Sequence, residues 1–303
     1  MKKSKTIKTI KKIVKLFLPP ILLEIWKTIK HGNCGSHASL QQGILPQLEH
    51  HSDNVIIMGN GPSLNDSIIK YKDEILKNDR IAVNFFASSV FFEQLKPNIY
   101  VFADPAFFDI PKDLKESIEL LLGNLLQKTV WDMRVVVPSS ARDSYFISKL
   151  KSNNSITVDY YMDYNQNIGL MSKFEAWDKN LIAPPAQTVL NVALFLSLYW
   201  NYKESYLIGA DSSFFEDLRV DQKTNELFSN DTHFYNNQQV NSGIDSKRSR
   251  LMSGWTLHDL IYAYGRMFEY YSDLKDYADY KGLKVYNASE YSWINVFERR
   301  KLK

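Results

Sequence analysis

Residues 54–66 read NVIIMGNGPSLND, and this stretch decides the fold. The run 55–58 is apolar throughout, as in a strand that is buried on both faces of a sheet. It stops at Gly59, and the polar turn that follows leads into a segment with helical spacing. A buried strand, a glycine-rich turn and a helix together predict one βα unit of a parallel sheet.

The turn itself has the residues of a ligand cradle. Gly59 and Gly61 are expected to let the backbone turn with positive φ and to let a ligand approach the main chain. Asn60 tolerates the left-handed region and offers an amide. Ser63 is expected to cap a helix that starts near Leu64, whose free amides suit a phosphate. The turn matches neither the GxGxxG fingerprint nor a Walker loop. We interpret it as a nucleotide cradle of another kind, with an ordinary tight βα turn as the alternative.

Strand-like and helix-like segments alternate along the rest of the chain. Runs rich in Val, Ile and Tyr occur at 54–59, 80–86, 98–104, 134–138, 155–161, 204–211 and 284–288. Amphipathic stretches such as 113–127 and 188–200 lie between them. This alternation predicts an α/β fold with a Rossmann-like, doubly wound, mostly parallel sheet. Ligands of such sheets lie beyond the carboxyl ends of the strands, so the strand ends hold the candidate site.

Composition limits the domain count and the compartment. The chain has 303 residues, of which 45% are hydrophobic, enough for one large α/β domain. We assign this domain to residues 53–303 and interpret 31–52 as a linker, since it shows little periodicity. The single cysteine, Cys34, excludes an internal disulfide and a CxxC metal site, and indicates a reducing compartment.

The first thirty residues differ in charge from the rest. Residues 1–30 hold nine lysines and one glutamate, whereas the whole chain has a net charge of only +3. Apolar residues recur there at helical spacing on both sides of Pro19 and Pro20. The segment is too short in uninterrupted apolar residues to span a bilayer. The pattern predicts two basic amphipathic helices in the interface of an anionic membrane; packing on the domain or on a partner subunit is the alternative.

Several strand ends match a known family in order and in type. The motifs are GNGPS at 59–63, Asn84 in AVNFF, the GAD of YKESYLIGAD at 209–211, and His233 in NDTHFY. Over about residues 54–297 the chain resembles the bacterial family 42 sialyltransferases and the wider group of bacterial surface-polysaccharide proteins. The resemblance implies a GT-A-like version of the predicted sheet.

The resemblance also implies an activity. It implies an inverting glycosyltransferase that moves a nonulosonic acid, such as sialic acid, Kdo, legionaminic acid or pseudaminic acid, from a CMP-activated donor to a bacterial surface glycan or lipid-linked glycan. No cofactor or metal is implied. The setting would be capsule or lipopolysaccharide biosynthesis at the cytoplasmic face of the inner membrane, with peripheral attachment. The donor-binding residues implied are Gly59, Asn60, Gly61, Pro62, Ser63, Asn84, Asp104, Thr188, Gly209, Asp211, Ser212 and Ser213.

His233 is the catalytic residue that the resemblance implies. It would take the proton of the acceptor hydroxyl, and an imidazole with a pKa near ~6.5 is a neutral base at cellular pH. By sequence alone it stands in a polar loop some twenty residues after Asp211, where a solvated histidine is the alternative. The family's tyrosines that donate to the leaving phosphate are absent, because Ser212, Ser213 and two phenylalanines follow Asp211.

Other interpretations stay open. Residues 162–188 have no clear periodicity and are interpreted as a lid or acceptor platform, or equally as a packed insertion. A non-catalytic protein of surface-polysaccharide assembly or sugar binding, and a transferase with another nucleotide donor, are the alternative functions. A nucleic-acid partner is disfavoured, because the basic residues cluster at one terminus. A homo-oligomer is compatible with the sequence.

The basic terminus generates a prediction. Deletion of residues 1–30 is expected to release the protein from anionic vesicles while the domain stays folded, since the lysines and the apolar stripe are removed together. Vesicle flotation at low and high salt measures this, because screening weakens attraction between exposed charges. Flotation that is insensitive to salt, or unchanged by the deletion, would refute the interfacial interpretation.

Overall fold

A computed structural model describes residues 45–163, 171–184, 187–216, 218–230, 249–251 and 254–302. All seven strands predicted from the sequence are present. The helices are α1 (Leu64–Lys77), α2 (Phe91–Leu95), α3 (Lys115–Lys128), α4 (Tyr145–Leu150), α5 (Lys173–Asp178), α6 (Val189–Tyr199) and α7 (Leu257–Lys281). The strands are β1 (Asn54–Met58), β2 (Asp79–Val83), β3 (Ile99–Val101), β4 (Met133–Pro138), β5 (Ile156–Tyr161), β6 (Glu204–Ile208), β7 (Arg219–Val220), β8 (Leu227–Asn230), β9 (Ser249–Leu251), β10 (Lys284–Asn287) and β11 (Glu298–Arg299).

The main sheet has eight strands in the order β11-β10-β6-β1-β2-β3-β4-β5. Each pairing in it is parallel, so the predicted α/β doubly wound sheet is confirmed. The chain first builds outward from β1 to β5, and then returns to the other side of β1 with β6. The order therefore reverses between β1 and β6, and this switch point is where open parallel sheets bind ligands.

Helices cover both faces of the sheet because the strands are apolar on both sides. In β1, Val55 and Ile57 pack in the core on the face covered by α6 and α7. Ile56 and Met58 pack in the core on the opposite face, which α1, α2, α3 and α4 cover. All four side chains have no solvent exposure. The continuous apolar run 55–58 thus reflects burial on two faces.

Three short strands form a second sheet that the sequence analysis did not predict. In it β8 lies between β7 and β9, and both pairings are antiparallel. Strands of two to four residues carry too few side chains for a recognisable alternation. His233 follows β8 in the sequence, but residues 231–248 lie outside the described residues, as do residues 1–44.

The predicted linker ends earlier than expected. Leu45 is buried in the core, and the Trp200 indole donates from Nε1 to the Pro46 carbonyl oxygen at 3.1 Å. The His50 ring stacks on the Tyr202 ring with centroids 4.0 Å apart. Residues 45–52, which the sequence assigned to the linker, therefore pack on the domain through apolar and aromatic contacts.

The described part of the stretch 162–188 contains the short helix α5. Its Trp177 is buried, with the ring 5.2 Å from that of Tyr277 and 5.9 Å from that of Phe195. This part packs as an insertion. A lid or acceptor platform stays a prediction for residues 164–170 and 185–186, which lie outside the described ranges. Among the helices that the structure describes, none has the length and apolar character needed to cross a membrane.

Candidate functional site

The turns after β1 and β6 meet at the switch point through their backbones. The Gly59 amide donates to the Ile208 carbonyl at 2.8 Å, and the Gly61 amide donates to the Gly209 carbonyl at 2.9 Å. A Cβ on Gly59 would lie 2.4 Å from the Gly209 oxygen, and a Cβ on Gly61 would lie 2.4 Å from Asp211 Oδ1. Glycine is required here because one turn packs directly on the other.

The expected backbone conformation of this turn is wrong. Of the three glycines at the junction only Gly209 has a positive φ, at 59°, whereas Gly59 and Gly61 do not. Asn60 does not adopt the left-handed region either, but Asn84 does, with φ of 45°. The sequence identified the positions that need glycine. The structure shows that the reason is the close approach of the turn after β6.

Ser63 bonds to Asp211 and does not use its side chain to cap α1. The Ser63 hydroxyl donates to Asp211 Oδ1 at 2.5 Å, and the Ser63 amide donates to Asp211 Oδ2 at 3.0 Å. No side-chain cap bond is present at α1, so the predicted capping role of the hydroxyl is wrong. Burial raises the pKa of the Asp211 carboxyl, while the Ser63 hydrogen bonds oppose this shift. A carboxylate thus holds the amide that was expected to bind a phosphate.

Two asparagines lie together at the end of β2. The Asn60 Nδ2 donates to the Val83 carbonyl at 3.0 Å, which ties the β1 turn to the next strand. The Asn84 carbonyl accepts the Tyr100 hydroxyl at 2.5 Å, and that hydroxyl accepts the Ala87 amide at 2.8 Å. The Asn84 Oδ1 is buried, and nothing in the described part of the chain donates to it. A buried acceptor without a donor calls for an explanation, and a ligand donor is one.

Two further predicted donor residues, Asp104 and Thr188, have identifiable local roles. Asp104 is exposed, and its Oδ1 accepts the Ala106 amide at 2.9 Å. Thr188 is the N-cap of α6, with Oγ1 accepting the Leu190 amide at 3.4 Å. Asp104 follows β3 and therefore lies at the carboxyl edge of the sheet. Thr188 lies at the same edge, because α6 starts there and runs back to the amino edge, where β6 begins.

The first turn of α6 also carries a side chain that sequence reasoning missed. Asn191 has no solvent exposure, and its Oδ1 and Nδ2 both lack partners within the described ranges. One signal was available in the sequence, since Asn191 interrupts the apolar run 189–198.

The loop after β10 joins the site, and the sequence analysis did not include it. The Trp293 amide donates to the Asp211 carbonyl at 2.8 Å, and the Ser292 hydroxyl donates to the Ala210 carbonyl at 2.6 Å. The Tyr291 hydroxyl donates to Glu216, and this bond raises the pKa of the phenol. The strand 284–288 was predicted, so its carboxyl end belonged among the candidate ends.

The structure does not place the predicted catalytic residue, and it shows no metal-binding cluster among the residues that it describes. His233 lies outside the described residues, so its distance from the strand ends is not defined. Among the residues that the structure describes, no three His, Cys, Asp or Glu side chains come together in a group that could hold a metal ion.

Comparison with known proteins gives a distant similarity of fold. No protein-family model matches the chain, and no curated protein matches it. Among solved structures, the MAf glycosyltransferase from Magnetospirillum magneticum AMB-1 matches at 12% identity with a TM-score of 0.47. The match covers 86% of this chain and 34% of that chain, so this chain spans about a third of the other protein. A likeness this distant concerns the fold and assigns no activity.

The glycine contacts generate a stability prediction. Gly59→Ala is expected to lower the free energy of unfolding by about 1–3 kcal/mol or more, because the new Cβ meets a backbone carbonyl that cannot rotate away. Gly123→Ala is the matched control. Gly123 lies inside α3 with no atom within 4 Å of an added Cβ, so alanine should stabilise by about 0.5–1 kcal/mol. Urea unfolding measures both, and an unchanged midpoint for Gly59→Ala would disprove the close-approach explanation.

The Ser63–Asp211 contact generates a second prediction. Asp211→Ala is expected to cost about 1–3 kcal/mol, because the Ser63 amide and hydroxyl lose their acceptor. Asp211→Asn should cost less, since its amide can accept from one Ser63 group and donate to the other.

The pH dependence of the same pair follows from the pKa. The pKa of the Asp211 carboxyl is higher in the folded protein than in the unfolded chain, so ionisation of this group costs stability. Wild type should therefore lose stability relative to Asp211→Asn as the pH rises from about 4, where an ordinary Asp titrates, toward neutral. Denaturant midpoints across this range measure the difference. An opposite slope would mean that the Ser63 hydrogen bonds outweigh burial.

Proposed function

We propose that this protein is an inverting glycosyltransferase that moves a nonulosonic acid from a CMP-activated donor to a hydroxyl of a bacterial surface glycan. The observation that carries the proposal is the buried Oδ1 of Asn84 at the carboxyl end of β2, which has no hydrogen-bond donor among the residues that the structure describes. It lies next to the β1 turn, since Asn60 bonds to the preceding Val83 carbonyl. An amino group of the cytosine base or a ribose hydroxyl would satisfy this acceptor. The resemblance of the strand-end motifs to family 42 supports the same donor class.

The charge at the switch point constrains where the donor phosphate goes. The Asp211 carboxylate already bonds to the Ser63 amide, so a phosphate at the start of α1 would meet a like charge. The N-terminus of α6 is the better place, because helix N-termini attract anions. We assign this role to Thr188, which caps the helix, and to Asn191, whose amide has no partner among the described residues. In this proposal they act where the related family uses tyrosines.

The chemistry that we propose needs one base and no metal. The acceptor oxygen attacks the anomeric carbon as the bond from that carbon to the phosphate oxygen breaks, and CMP leaves with the bonding electrons. The acceptor proton passes to His233 as the new glycosidic bond forms. Residues 1–30 hold the enzyme at the cytoplasmic face of the inner membrane, in capsule or lipopolysaccharide biosynthesis. This membrane role rests on the lysine pattern of the sequence.

The test combines nucleotide binding with transfer. CMP is expected to stabilise the full chain against heat, by ~2.7 kcal/mol at a hundred times its dissociation constant, while UDP and ATP do not. Asn84→Gly should reduce this stabilisation, because it removes the Oδ1 acceptor and tolerates the φ of 45°. Asn124→Ala on α3 is the matched control and should respond to CMP as wild type does.

Transfer assays on the same proteins separate binding from chemistry. His233→Ala should keep the response to CMP and lose about 10²–10⁴-fold in transfer rate, with the acid limb of the pH profile removed. EDTA should leave the wild-type rate unchanged. Stabilisation by UDP or ATP instead of CMP would refute the donor class. Full transfer by His233→Ala would refute the base, and Asp104 or Asp211 would then be the candidates.

A further inference from the structure

Two large aromatic side chains stand exposed beside the switch point. Tyr291 is 46% exposed and Trp293 is 47% exposed, both in the loop after β10. This loop is fixed to the β6 turn, since the Trp293 amide donates to the Asp211 carbonyl at 2.8 Å and the Ser292 hydroxyl donates to the Ala210 carbonyl at 2.6 Å. The rings therefore belong to the ligand-binding edge of the sheet.

The exposed rings are held in place by one carboxylate and by two rings behind them. The Tyr291 hydroxyl and the Trp293 Nε1 both donate to Glu216 Oε1, the indole at 3.0 Å. Phe215 packs edge-on against Trp293 with centroids 5.6 Å apart, and it stacks on Phe268 at 5.7 Å. The apolar faces are thus kept in water by specific bonds. Fixing them in advance lowers the entropy that a ligand would lose on binding.

The cleft between these rings is shallow and open to solvent, and its lining has the chemistry of a sugar-binding surface. Its volume is about 500 Å³, and Phe268, Tyr291, Ser292, Trp293 and Asn295 line it. Ligand sites combine apolar and aromatic walls with a few polar groups that fix orientation. A sugar ring matches this lining, because its C–H face is apolar and its edge carries hydroxyl groups.

We propose that this cleft binds a neutral sugar ring of the acceptor glycan, with its C–H face on Trp293 and a hydroxyl donating to Glu216. The inference rests on the proposed function and supplies its acceptor side. Asn84 lies beyond β2, on one side of the switch point, and this cleft lies beyond β10, on the other. Donor and acceptor would then meet between β1 and β6. The Glu216 and Asp211 carboxylates on this side disfavour an acidic sugar.

The test measures glycan binding directly, without any donor. The full chain is titrated with lactose, cellobiose and maltose as neutral probes and with 3′-sialyllactose as the acidic one, and binding is followed by saturation-transfer NMR. At least one neutral disaccharide should bind, and Trp293→Ala should weaken it by about tenfold or more, the usual loss for an aromatic anchor. Trp293→Phe should retain part of the affinity. Glu216→Gln should weaken the neutral probe less than Trp293→Ala does, because the amide oxygen still accepts a hydrogen bond, and it should favour the acidic probe relative to the neutral one, because the negative charge is removed.

Trp255→Ala is the matched control. Trp255 is 48% exposed, just before α7, and does not line the cleft, so its loss should leave glycan affinity unchanged. All variants should keep the stabilisation by CMP, which separates this site from the donor site. Glycan affinity that depends on Trp293 in a protein that ignores CMP would refute the proposed donor and keep the cleft. Absence of binding to every neutral probe would overturn the inference. Equal losses of glycan affinity from Trp255→Ala and Trp293→Ala would also overturn it.

Discussion

The contact between Ser63 and Asp211 joins the two halves of the sheet. Strand β1 starts the outward series to β5, and β6 starts the series in the other direction. The hydroxyl and amide of Ser63 both donate to the Asp211 carboxylate, and the Gly61 amide donates to the Gly209 carbonyl. Every strand end that we consider for ligand binding is positioned relative to this junction. The pairing of β1 with β6 and the backbone bonds of Gly59 and Gly61 fix the strands, and the Ser63–Asp211 contact fixes the two turns that follow them.

The same contact sets the electrostatics of the site. Burial raises the pKa of Asp211, because a charged carboxylate loses hydration there. The Ser63 hydrogen bonds compensate in part, and the N-terminal end of α1 favours a negative group. In the function that we propose, this acidic group places the donor phosphate at the start of α6 and not at the start of α1. The fold carries an acidic group where many nucleotide-binding folds present open backbone amides. For this reason the proposed donor site uses other polar groups, Asn84 and Thr188.

The loop after β10 is fixed to the turn after β6. Its Ser292 hydroxyl bonds to the Ala210 carbonyl, its Trp293 amide bonds to the Asp211 carbonyl, and its two exposed rings bond to Glu216 in the loop after β6. The aromatic surface and the switch point therefore form one rigid unit. Rigid aromatic surface beside a polar junction is the arrangement expected of a binding site, because pre-organised groups lose little entropy when they engage a ligand.

The sequence by itself determined the fold class and the strands that carry it. The buried run at β1 and the alternation of apolar strands with helices follow from local side-chain periodicity, which does not depend on tertiary contacts. The sequence also placed the glycine turn and Asn84 at strand ends. It could not determine the partner of Ser63, because Asp211 is 148 residues away and nothing local specifies that pairing. Positive φ at Gly209 and Asn84, the packed segment before β1 and the aromatic cleft were likewise decided by tertiary structure. These features depend on contacts between segments that are distant in sequence. The order of strands in the sheet determines which of these segments become neighbours.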